Sequence, residues 1–271
     1  MNPVDVLLEI GQFDAVNETH QVVLVDLRSQ EQYAENHLPG AVHLPYATIL
    51  KVDPPVGGLL PDADAFNGVL RSLGITRDHY VVAYDAEGGA AAGRLIWTLH
   101  AYDFYQCGVL HGGINAWVAA GRELTTASPE VAPSTISLQP TATNVISVDE
   151  LKARIGDDKL GLLDARTLDE YTGAKVRANH GGRIPGAERL EWTDALDPAG
   201  PTTLLPDETL RDMLDQRGLT PDKDIVVYCQ THHRSALSYL MLKHLGYESV
   251  TALDGAWSAW GNRDDTPKET G

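Results

Sequence analysis

Short, uninterrupted apolar runs alternate along the chain with longer segments in which apolar residues recur every three or four positions. Continuous apolar runs of this kind are typical of parallel strands that are buried on both faces. The longer segments have the spacing of helices that bury one face. This alternation predicts an α/β fold, an open and mostly parallel sheet flanked by helices. The predicted strands are VVLVD (22–26), YVVAYD (80–85), CGVLH (107–111), LGLLD (160–164), IVVYC (225–229) and VTAL (250–253).

The helical pattern is clearest in the second half of the chain. In the segment 235–246, Leu237, Leu240, Met241 and Leu245 form one predicted buried face, and Gly246 supplies the stop. The other predicted helices are ATIL (47–50) and the segments 62–74, 93–102, 147–156 and 206–218.

The pattern of strands, helices and motifs occurs twice, which indicates an internal duplication. It predicts two similar domains, 1–124 and 144–271, joined by a linker (125–143) that is rich in Ser, Thr and Pro. The second copy is longer by eight residues between Asp164 and Gly186. The matched segments are VVLVDLRSQEQY (22–33) with LGLLDARTLDEY (160–171), HLPGAVHL (37–44) with RIPGAERL (183–190), YVVAYD (80–85) with DIVVYC (224–229), and GGINAW (112–117) with GAWSAW (255–260).

The charge balance narrows the function classes. A formal net charge of -17 repels phosphate backbones and anionic lipids, so neither nucleic-acid binding nor membrane binding is predicted. Two cysteines cannot form a disulfide framework, the chain starts without a basic and apolar leader pattern, and no apolar run approaches the roughly 20 residues that span a bilayer. We therefore expect a soluble, cytoplasmic protein.

One loop has the composition of a reactive site. Cys229 follows a predicted strand and precedes a helix that begins near Arg234, where unpaired amides and the helix dipole favour a thiolate. The basic neighbours His232, His233 and Arg234 should lower the pKa of the thiol further, so Cys229 is the predicted nucleophile. Cys107 lacks such neighbours, and a buried structural role is expected for it.

Two other roles for Cys229 are compatible with its residue type. It could be a buried structural cysteine, but adjacent histidines and an arginine are poor core material. It could also bind a metal with His232 and His233, although neighbouring histidines on a turn diverge and a cation would compete with Arg234. Neither a metal nor a cofactor is predicted. In the first copy Asp85 stands in place of the cysteine, so that copy is predicted to be an inactive scaffold.

With these motifs in place, the chain resembles a tandem-domain rhodanese, a thiosulfate:cyanide sulfurtransferase. YAENHLPGA (33–41) is similar to the amino-terminal signature of that family, and VTALDGAWSAW (250–260) resembles its carboxyl-terminal signature. The loop CQTHHR (229–234) is similar to that of a bacterial subgroup. The resemblance implies two rhodanese-like domains, of which the second is catalytic, and a reaction that needs no cofactor.

The reaction that the resemblance implies has two steps. The thiolate of Cys229 takes the outer sulfur of thiosulfate, sulfite leaves, and the resulting persulfide passes its sulfur to cyanide or another thiophilic acceptor. The loop residues Gln230, Thr231, His232, His233 and Arg234 are expected to surround this sulfur.

Three related activities stay open at this point. A 3-mercaptopyruvate sulfurtransferase is the nearest alternative, although that branch usually has a loop of small and hydroxyl residues. A carrier that delivers the persulfide sulfur to a protein partner is another. A cysteine phosphatase is disfavoured, because its loop needs five residues between Cys and Arg and only four separate Cys229 from Arg234.

The remaining candidates are basic. Arg166, Lys175 and Arg183 are possible donor-binding residues, and the insertion that contains Lys175, Arg177 and His180 could form an anion site or a merely solvated basic loop. Because Asp164 and Arg166 recur as Asp26 and Arg28 in the first copy, a structural Asp–Arg pair is the favoured alternative for Arg166. Trp192 could line the site, but a place in the core is favoured, because Tyr46 roughly follows the equivalent position in the first copy.

Overall fold

The computed structural model describes residues 5–141 and 143–271. The first four residues of the amino-terminal segment and Ala142 of the predicted linker lie outside the described residues. Contacts divide the rest into two units, of which unit 1 comprises 5–49, 61–141 and 197–204, and unit 2 comprises 50–60, 143–196 and 205–271. The linear boundaries predicted from the sequence stay a prediction. The contact units differ from them in two short segments, 50–60 and 197–204, and in the predicted linker, of which 125–141 belongs to unit 1.

Among the described residues, the elements follow one another in the same order in both halves of the chain, apart from a hairpin at 51–59 in the first half. In chain order, the strands are β1 Leu7–Leu8, β2 Gln21–Asp26, β3 Val42–His43, β4 Lys51–Asp53, β5 Val56–Leu59, β6 His79–Tyr84, β7 Cys107–Leu110, β8 Val145–Ile146, β9 Leu160–Asp164, β10 Ala187–Arg189, β11 Asp224–Tyr228 and β12 Val250–Leu253. The α-helices are α1 Ile10–Thr19, α2 Gln30–Glu35, α3 Ala63–Ser72, α4 Ala90–Ala101, α5 Gly113–Ala119, α6 Val148–Arg154, α7 Leu168–Thr172, α8 Asp207–Asp215, α9 Arg234–His244 and α10 Ala256–Trp260. Short 3-10 helices cover Tyr46–Ile49 and Trp192–Ala195. No helix within the described ranges combines the length and the apolar character that a membrane crossing requires.

Each unit is built on a five-stranded sheet, and the two sheets have the same topology. The order is β1-β7-β6-β2-β3 in unit 1 and β8-β12-β11-β9-β10 in unit 2, with all neighbouring strands parallel. The central strands β6 and β11 are buried along nearly their whole length, as continuous apolar runs require. The predicted fold class, an open parallel sheet flanked by helices and present twice, is confirmed.

The burial of α9 differs from the prediction. The sequence pattern predicts one buried face, yet every residue from Ser235 to Leu242 is buried. The helix contacts β11 and β12 on the sheet and also the 3-10 helix at Trp192–Ala195. Small residues such as Ala236 and Ser238 allow this close packing, so α9 is a core helix, and its first turn is held firmly beside Cys229.

The segment predicted as a linker packs closely on unit 1 along its described length. Its residue Leu138 is fully buried and exchanges two hydrogen bonds with the Asn67 side chain, at 2.7 and 2.9 Å. Arg71 Nε donates to the Ile136 carbonyl at 2.8 Å. The Ser, Thr and Pro content therefore indicates irregular backbone rather than a solvated spacer.

Unit 2 contains a hairpin that the sequence pattern does not predict. Strands β4 and β5 pair antiparallel, with Lys51 opposite Leu59 and Asp53 opposite Val56. The Gly57 amide donates to Ser258 Oγ at 3.0 Å, and the Leu60 amide donates to Asp254 Oδ1 at 2.8 Å. These bonds fix the hairpin against the start of α10, next to the loop that carries Cys229.

Candidate active site

Cys229 lies at the carboxyl end of β11, in the loop that leads into α9. This is the edge of a parallel sheet at which ligands commonly bind. The amide of Trp257 donates to the Cys229 carbonyl at 2.9 Å, and the amide of Ser258 donates to the Gln230 carbonyl at 2.9 Å. The first turn of α10 thus holds the outer side of the loop, which gives the repeated GAWSAW motif a structural role.

The surroundings of the Cys229 sulfur favour its ionised form. Cys229 is 1% exposed, and this burial by itself disfavours the thiolate. The charge of Arg234, the hydroxyl and amide of Ser235 and the amide of Thr231 outweigh the burial, so the pKa of Cys229 lies below its ordinary value. Burial raises the pKa of Cys107, which has no such donors. Of the two cysteines, only Cys229 has the electrostatics of a nucleophile.

Arg234 is shared between the thiol and a buried carboxylate. Its Nη1 and Nη2 donate to the two oxygens of Glu170 at 2.7 and 3.0 Å, and Arg177 Nε lies 3.3 Å from the same carboxylate. Burial would raise the pKa of Glu170, but the bonds and charge of Arg234 and the hydroxyl of Thr167 lower it to about 2. Glu170 therefore stays charged and fixes the guanidinium beside Cys229.

Sequence reasoning missed Glu170 and Ser235. Glu170 belongs to the pattern T-x-x-E that begins α7, in which Thr167 Oγ accepts from the Glu170 amide at 3.4 Å. Such a capping box explains the glutamate locally and hides its second role. Ser235 stands in the first turn of α9, and its proximity to the cysteine would have been the only signal.

The two histidines of the loop face different surroundings. His232 is fully buried with a φ of +55°, and its Nδ1 lies 2.7 Å from Ser235 Oγ. His233 is half-buried, and its ring centroid lies 6.4 Å from that of Trp192, which is also half-buried. Trp192 thus lies beside the loop, and His232 lies beneath it rather than on its open side.

Gln230 and Thr231 attach the loop to its neighbours. The side-chain amide of Gln230 donates to the Arg177 carbonyl at 3.1 Å, which ties the loop to the eight-residue insertion. Thr231 packs on the β4–β5 hairpin so closely that a Cβ on Gly58 would lie 2.1 Å from the Thr231 carbonyl oxygen.

Arg166 has the environment of a structural residue. It is 1% exposed, its Nη2 donates to Asp164 at 2.6 Å and to the Gly182 carbonyl at 2.8 Å, and its guanidinium lies 4.3 Å from the Trp257 ring centroid. Arg28 donates to Asp26 at the same 2.6 Å in unit 1. The duplicated pair therefore favours the structural alternative over donor binding.

The basic residues in and beside the insertion pair with separate acidic residues. Arg183 Nε lies 3.4 Å from Glu269, and its Nη1 donates to the Gly271 carbonyl at 2.8 Å. His180 pairs with Asp264 at 2.8 Å, and Arg177 pairs with Glu170. These ion pairs neutralise part of the positive charge and favour the solvated basic loop over a single anion site, which stays a prediction. Lys175 is exposed.

Within residues 5–141 and 143–271, no group of three or more His, Cys, Asp or Glu side chains is arranged to hold a metal ion.

The equivalent loop of unit 1 is filled by its own side chain. Asp85 is 2% exposed, and its carboxylate accepts from the amides of Glu87, Gly89 and Ala92, each at 2.9 Å. The loop amides of unit 1 therefore bind a carboxylate, whereas the equivalent loop of unit 2 directs amides at the sulfur of Cys229. The loop of unit 1 has no nucleophile at the position of Cys229.

Comparisons with known proteins agree with this architecture. The family model of the rhodanese-like domain matches the chain twice, over residues 10–120 and 147–263. The thiosulfate sulfurtransferase of Azotobacter vinelandii is 40% identical over 267 residues, which cover 97% of this chain and 96% of that protein. The sulfur carrier protein TtuD of Thermus thermophilus is 32% identical over 87% of this chain and 86% of its own. Among solved structures, the anaerobic ergothioneine biosynthesis enzyme of Chlorobium limicola has a TM-score of 0.87 at 21% identity, covering 100% of this chain and 71% of that one, and shares the fold.

Proposed function

Because this chain belongs to the rhodanese-like family, we propose that it is a thiosulfate sulfurtransferase in which Cys229 carries the sulfur. The observation that carries the proposal is the environment of Cys229, a thiol of lowered pKa surrounded by backbone amides, a hydroxyl and Arg234. The relative from Azotobacter vinelandii supports the choice of thiosulfate as donor. The loop CQTHHR supports assignment to the bacterial subgroup that has the same loop.

The reaction consists of two displacements at sulfur. In the first, Cys229 Sγ forms a bond to the outer sulfur of thiosulfate, the bond from that sulfur to the sulfonate breaks, and sulfite leaves with the electron pair. In the second, cyanide attacks the outer sulfur of the persulfide, thiocyanate leaves, and the thiolate is regenerated. No proton or electron has to be supplied from elsewhere.

The loop favours both anionic forms of the nucleophile. The thiolate and the persulfide are diffuse anions, and preorganised amides and a cation stabilise them without reorganisation during the reaction. The six-residue loop is closely matched to one sulfur atom, and it is one residue shorter than the loop that a cysteine phosphatase needs.

Donor binding is assigned to the loop first and to the insertion second. Arg234 stands next to the thiol, and Lys175 is an exposed cation on the insertion that Gln230 contacts. Arg166 and Arg183 are engaged with Asp164 and Glu269, so we give them no direct role in binding thiosulfate. A reducing compartment such as the predicted cytoplasm would keep the Cys229 thiol available.

A second candidate function is delivery of the sulfur to a protein acceptor. Leu168 and Val176 are 56% and 55% exposed, and they stand close in sequence to Glu170 and Arg177. A contiguous exposed apolar patch would mark a docking surface, and these two side chains are its candidate members. The similarity to a sulfur carrier protein points the same way. A Cys229 persulfide that survives excess cyanide for many minutes would favour this function, and prompt discharge would contradict it.

The proposal is tested by thiocyanate formation from cyanide with thiosulfate or with 3-mercaptopyruvate as donor. We expect thiosulfate to be the better donor, Cys229→Ala to abolish the reaction, and Cys107→Ser to leave it unchanged. A preference for 3-mercaptopyruvate would establish the alternative sulfurtransferase. Absence of turnover with both donors in a folded protein would overturn the proposal.

A further inference from the structure

Ser235 stands between Cys229 and His232, and all three side chains are buried. Ser235 and His232 are fully buried, and Cys229 is 1% exposed. The Ser235 hydroxyl is hydrogen-bonded to the Cys229 sulfur, and Ser235 Oγ lies 2.7 Å from His232 Nδ1. The three groups therefore form a chain of contacts from the sulfur to the imidazole, on the inner side of the loop.

The order of donors in this chain follows from the number of protons. A serine hydroxyl has one proton, so it can donate to the sulfur or to the imidazole, but not to both. A thiolate can only accept. If the hydroxyl donates to the thiolate, its oxygen is left to accept, and His232 Nδ1 must carry the proton that it donates.

The backbone supports a fixed role for this imidazole. His232 has a φ of +55°, in the left-handed region that residues other than glycine rarely adopt. This conformation turns the side chain under the loop and toward the first turn of α9, where Ser235 lies. A histidine that merely contributed positive charge to a bound anion would not need to be buried in this way.

We propose that His232 is a positioning residue whose Nδ1–H donates to Ser235 Oγ and thereby directs the serine proton to the sulfur of Cys229. The inference deepens the proposed function, on which it rests for the identity of Cys229 as the sulfur-carrying thiol. It assigns a tautomer to His232 and an acceptor to the hydroxyl proton. Neither is fixed by the family resemblance.

The two possible tautomers predict opposite effects of removing the imidazole. With a donating Nδ1–H, the loss of His232 frees the hydroxyl to rotate, the thiolate loses an oriented donor, and the pKa of Cys229 rises. With an accepting Nδ1, the imidazole competes with the sulfur for the proton, so its loss would lower the pKa of Cys229.

The test measures the pH dependence of alkylation of Cys229 by iodoacetamide in a Cys107→Ser background, in which Cys229 is the only thiol. The midpoint reports the pKa of the thiol, whereas access to the buried site affects only the plateau rate at high pH. We expect His232→Phe to raise the midpoint by about one pKa unit, which slows the reaction about tenfold at lower pH. His232→Asn keeps an N–H donor and should restore most of the difference. A lowered or unchanged midpoint in His232→Phe overturns the proposal.

Two further measurements separate orientation from a general structural effect. Ser235→Ala should raise the midpoint as well, and His232→Phe should add nothing in that background, because the imidazole acts through the hydroxyl. Additive shifts would contradict the proposal.

The nitrogen-15 shifts of His232 in the otherwise unaltered protein should show a protonated Nδ1. A protonated Nε2 with a bare Nδ1 would contradict the proposal even if the Phe variant fails to fold.

These readouts do not depend on sulfur transfer. If the thiol midpoint shifts as expected but no thiocyanate forms from either donor, the positioning role stands and the proposed function fails. If thiocyanate forms but the midpoint does not respond, the proposed function stands and the role of His232 is refuted.

Discussion

Cys229 owes its lowered pKa to a cation that it shares with a buried acid. Arg234 has 18% of its side chain exposed and makes its two short bonds to Glu170, so its charge cannot turn away into solvent. The carboxylate neutralises part of the charge that a donor anion meets, but it fixes the position of the guanidinium. A guanidinium held at this position stabilises the Cys229 thiolate.

The same carboxylate makes the stability of unit 2 sensitive to acid. Because the pKa of Glu170 is lowered to about 2, its stabilising effect is complete above about pH 5 and is lost as the pH falls toward that value. We predict that Glu170→Gln lowers the free energy of unfolding by about 2 to 3 kcal/mol at pH 7, and that the difference from the unaltered protein shrinks between about pH 4.5 and pH 2.

Urea unfolding at a series of pH values measures this difference. Glu248→Gln, on an exposed turn of the same unit, controls for the loss of one surface charge. A difference that stays constant down to pH 3 would show that Glu170 stabilises the unit through packing and not through its charge.

A site residue is hardest to recognise from sequence when a local structural motif already accounts for it. Cys229 was predictable, because a thiol followed by two histidines and an arginine after an apolar strand has few structural uses. Glu170 was not, since the capping box with Thr167 already accounts for a glutamate at that position. Its role depends on a contact with Arg234, 64 residues further along the chain, and only the folded structure brings the two together.

At the scale of elements, three pieces of backbone fix the loop of Cys229. The strand β11 delivers the cysteine, the first turn of α10 binds the loop carbonyls, and the β4–β5 hairpin packs against Thr231. The hairpin is the unexpected member, because it comes from the first half of the chain and belongs to unit 2.

Two adjacent glycines of this hairpin provide a matched test of its role. A Cβ on Gly58, where φ is +73°, would lie 2.1 Å from the Thr231 carbonyl oxygen, whereas a Cβ on Gly57 would make an ordinary contact at 3.7 Å with the Thr231 methyl group. We predict that Gly58→Ala shifts Thr231, lowers kcat/KM for thiosulfate at least about tenfold and destabilises the protein by at least about 1 kcal/mol.

Gly57→Ala should differ little from the unaltered protein in both respects. Steady-state kinetics and urea unfolding on the pair check this prediction. Equal activity in the two variants would show that the hairpin does not position the loop.

The elements were predicted unevenly, for a physical reason. The strands LGLLD and VTAL match β9 and β12 residue for residue, because their burial makes a continuous apolar run. The hairpin has only three and four residues in its strands and contains Pro and Gly, so it shows no period. The full burial of α9 also could not be predicted, since polar residues such as Ser235 are buried because the helix packs on both the sheet and the 3-10 helix at Trp192–Ala195.

At the scale of the whole molecule, the equivalent loops of the two units hold different groups. In unit 2 the loop amides and Arg234 favour the ionised form of Cys229, and in unit 1 the loop binds the Asp85 carboxylate through three amides. In unit 1, which has Asp85 in place of the cysteine, this carboxylate accepts the hydrogen bonds of the loop amides. This is the arrangement expected if unit 1 has retained its stability and not its chemistry.

Removal of that carboxylate should therefore affect stability and leave the chemistry intact. We predict that Asp85→Ala, which leaves three buried amides without their acceptor, destabilises the protein by about 2 to 4 kcal/mol, while thiocyanate formation per folded molecule stays unchanged. Thermal unfolding together with the activity assay checks this. A folded Asp85→Ala protein that has lost sulfur transfer would show that unit 1 takes a direct part in the reaction.

The sequence was most informative where the two copies could be compared. The repeated segments predicted the duplicated fold, and the pairing of Asp26–Arg28 with Asp164–Arg166 favoured a structural role that the buried guanidinium supports. The insertion has no counterpart in the first copy, so comparing the two copies gave no information about its residues. Ion pairs of its basic residues with Asp264 and Glu269 could not be foreseen from linear charge.

The most direct test of the central claim is the mass of the intact protein after incubation with thiosulfate. The account predicts that the unaltered protein and Cys107→Ser each gain the mass of one sulfur atom, that Cys229→Ala gains none, and that cyanide removes the added sulfur as thiocyanate. Sulfur on Cys229→Ala, or none on a folded protein with Cys229 intact and reduced, would contradict the assignment of Cys229 as the residue that carries the sulfur.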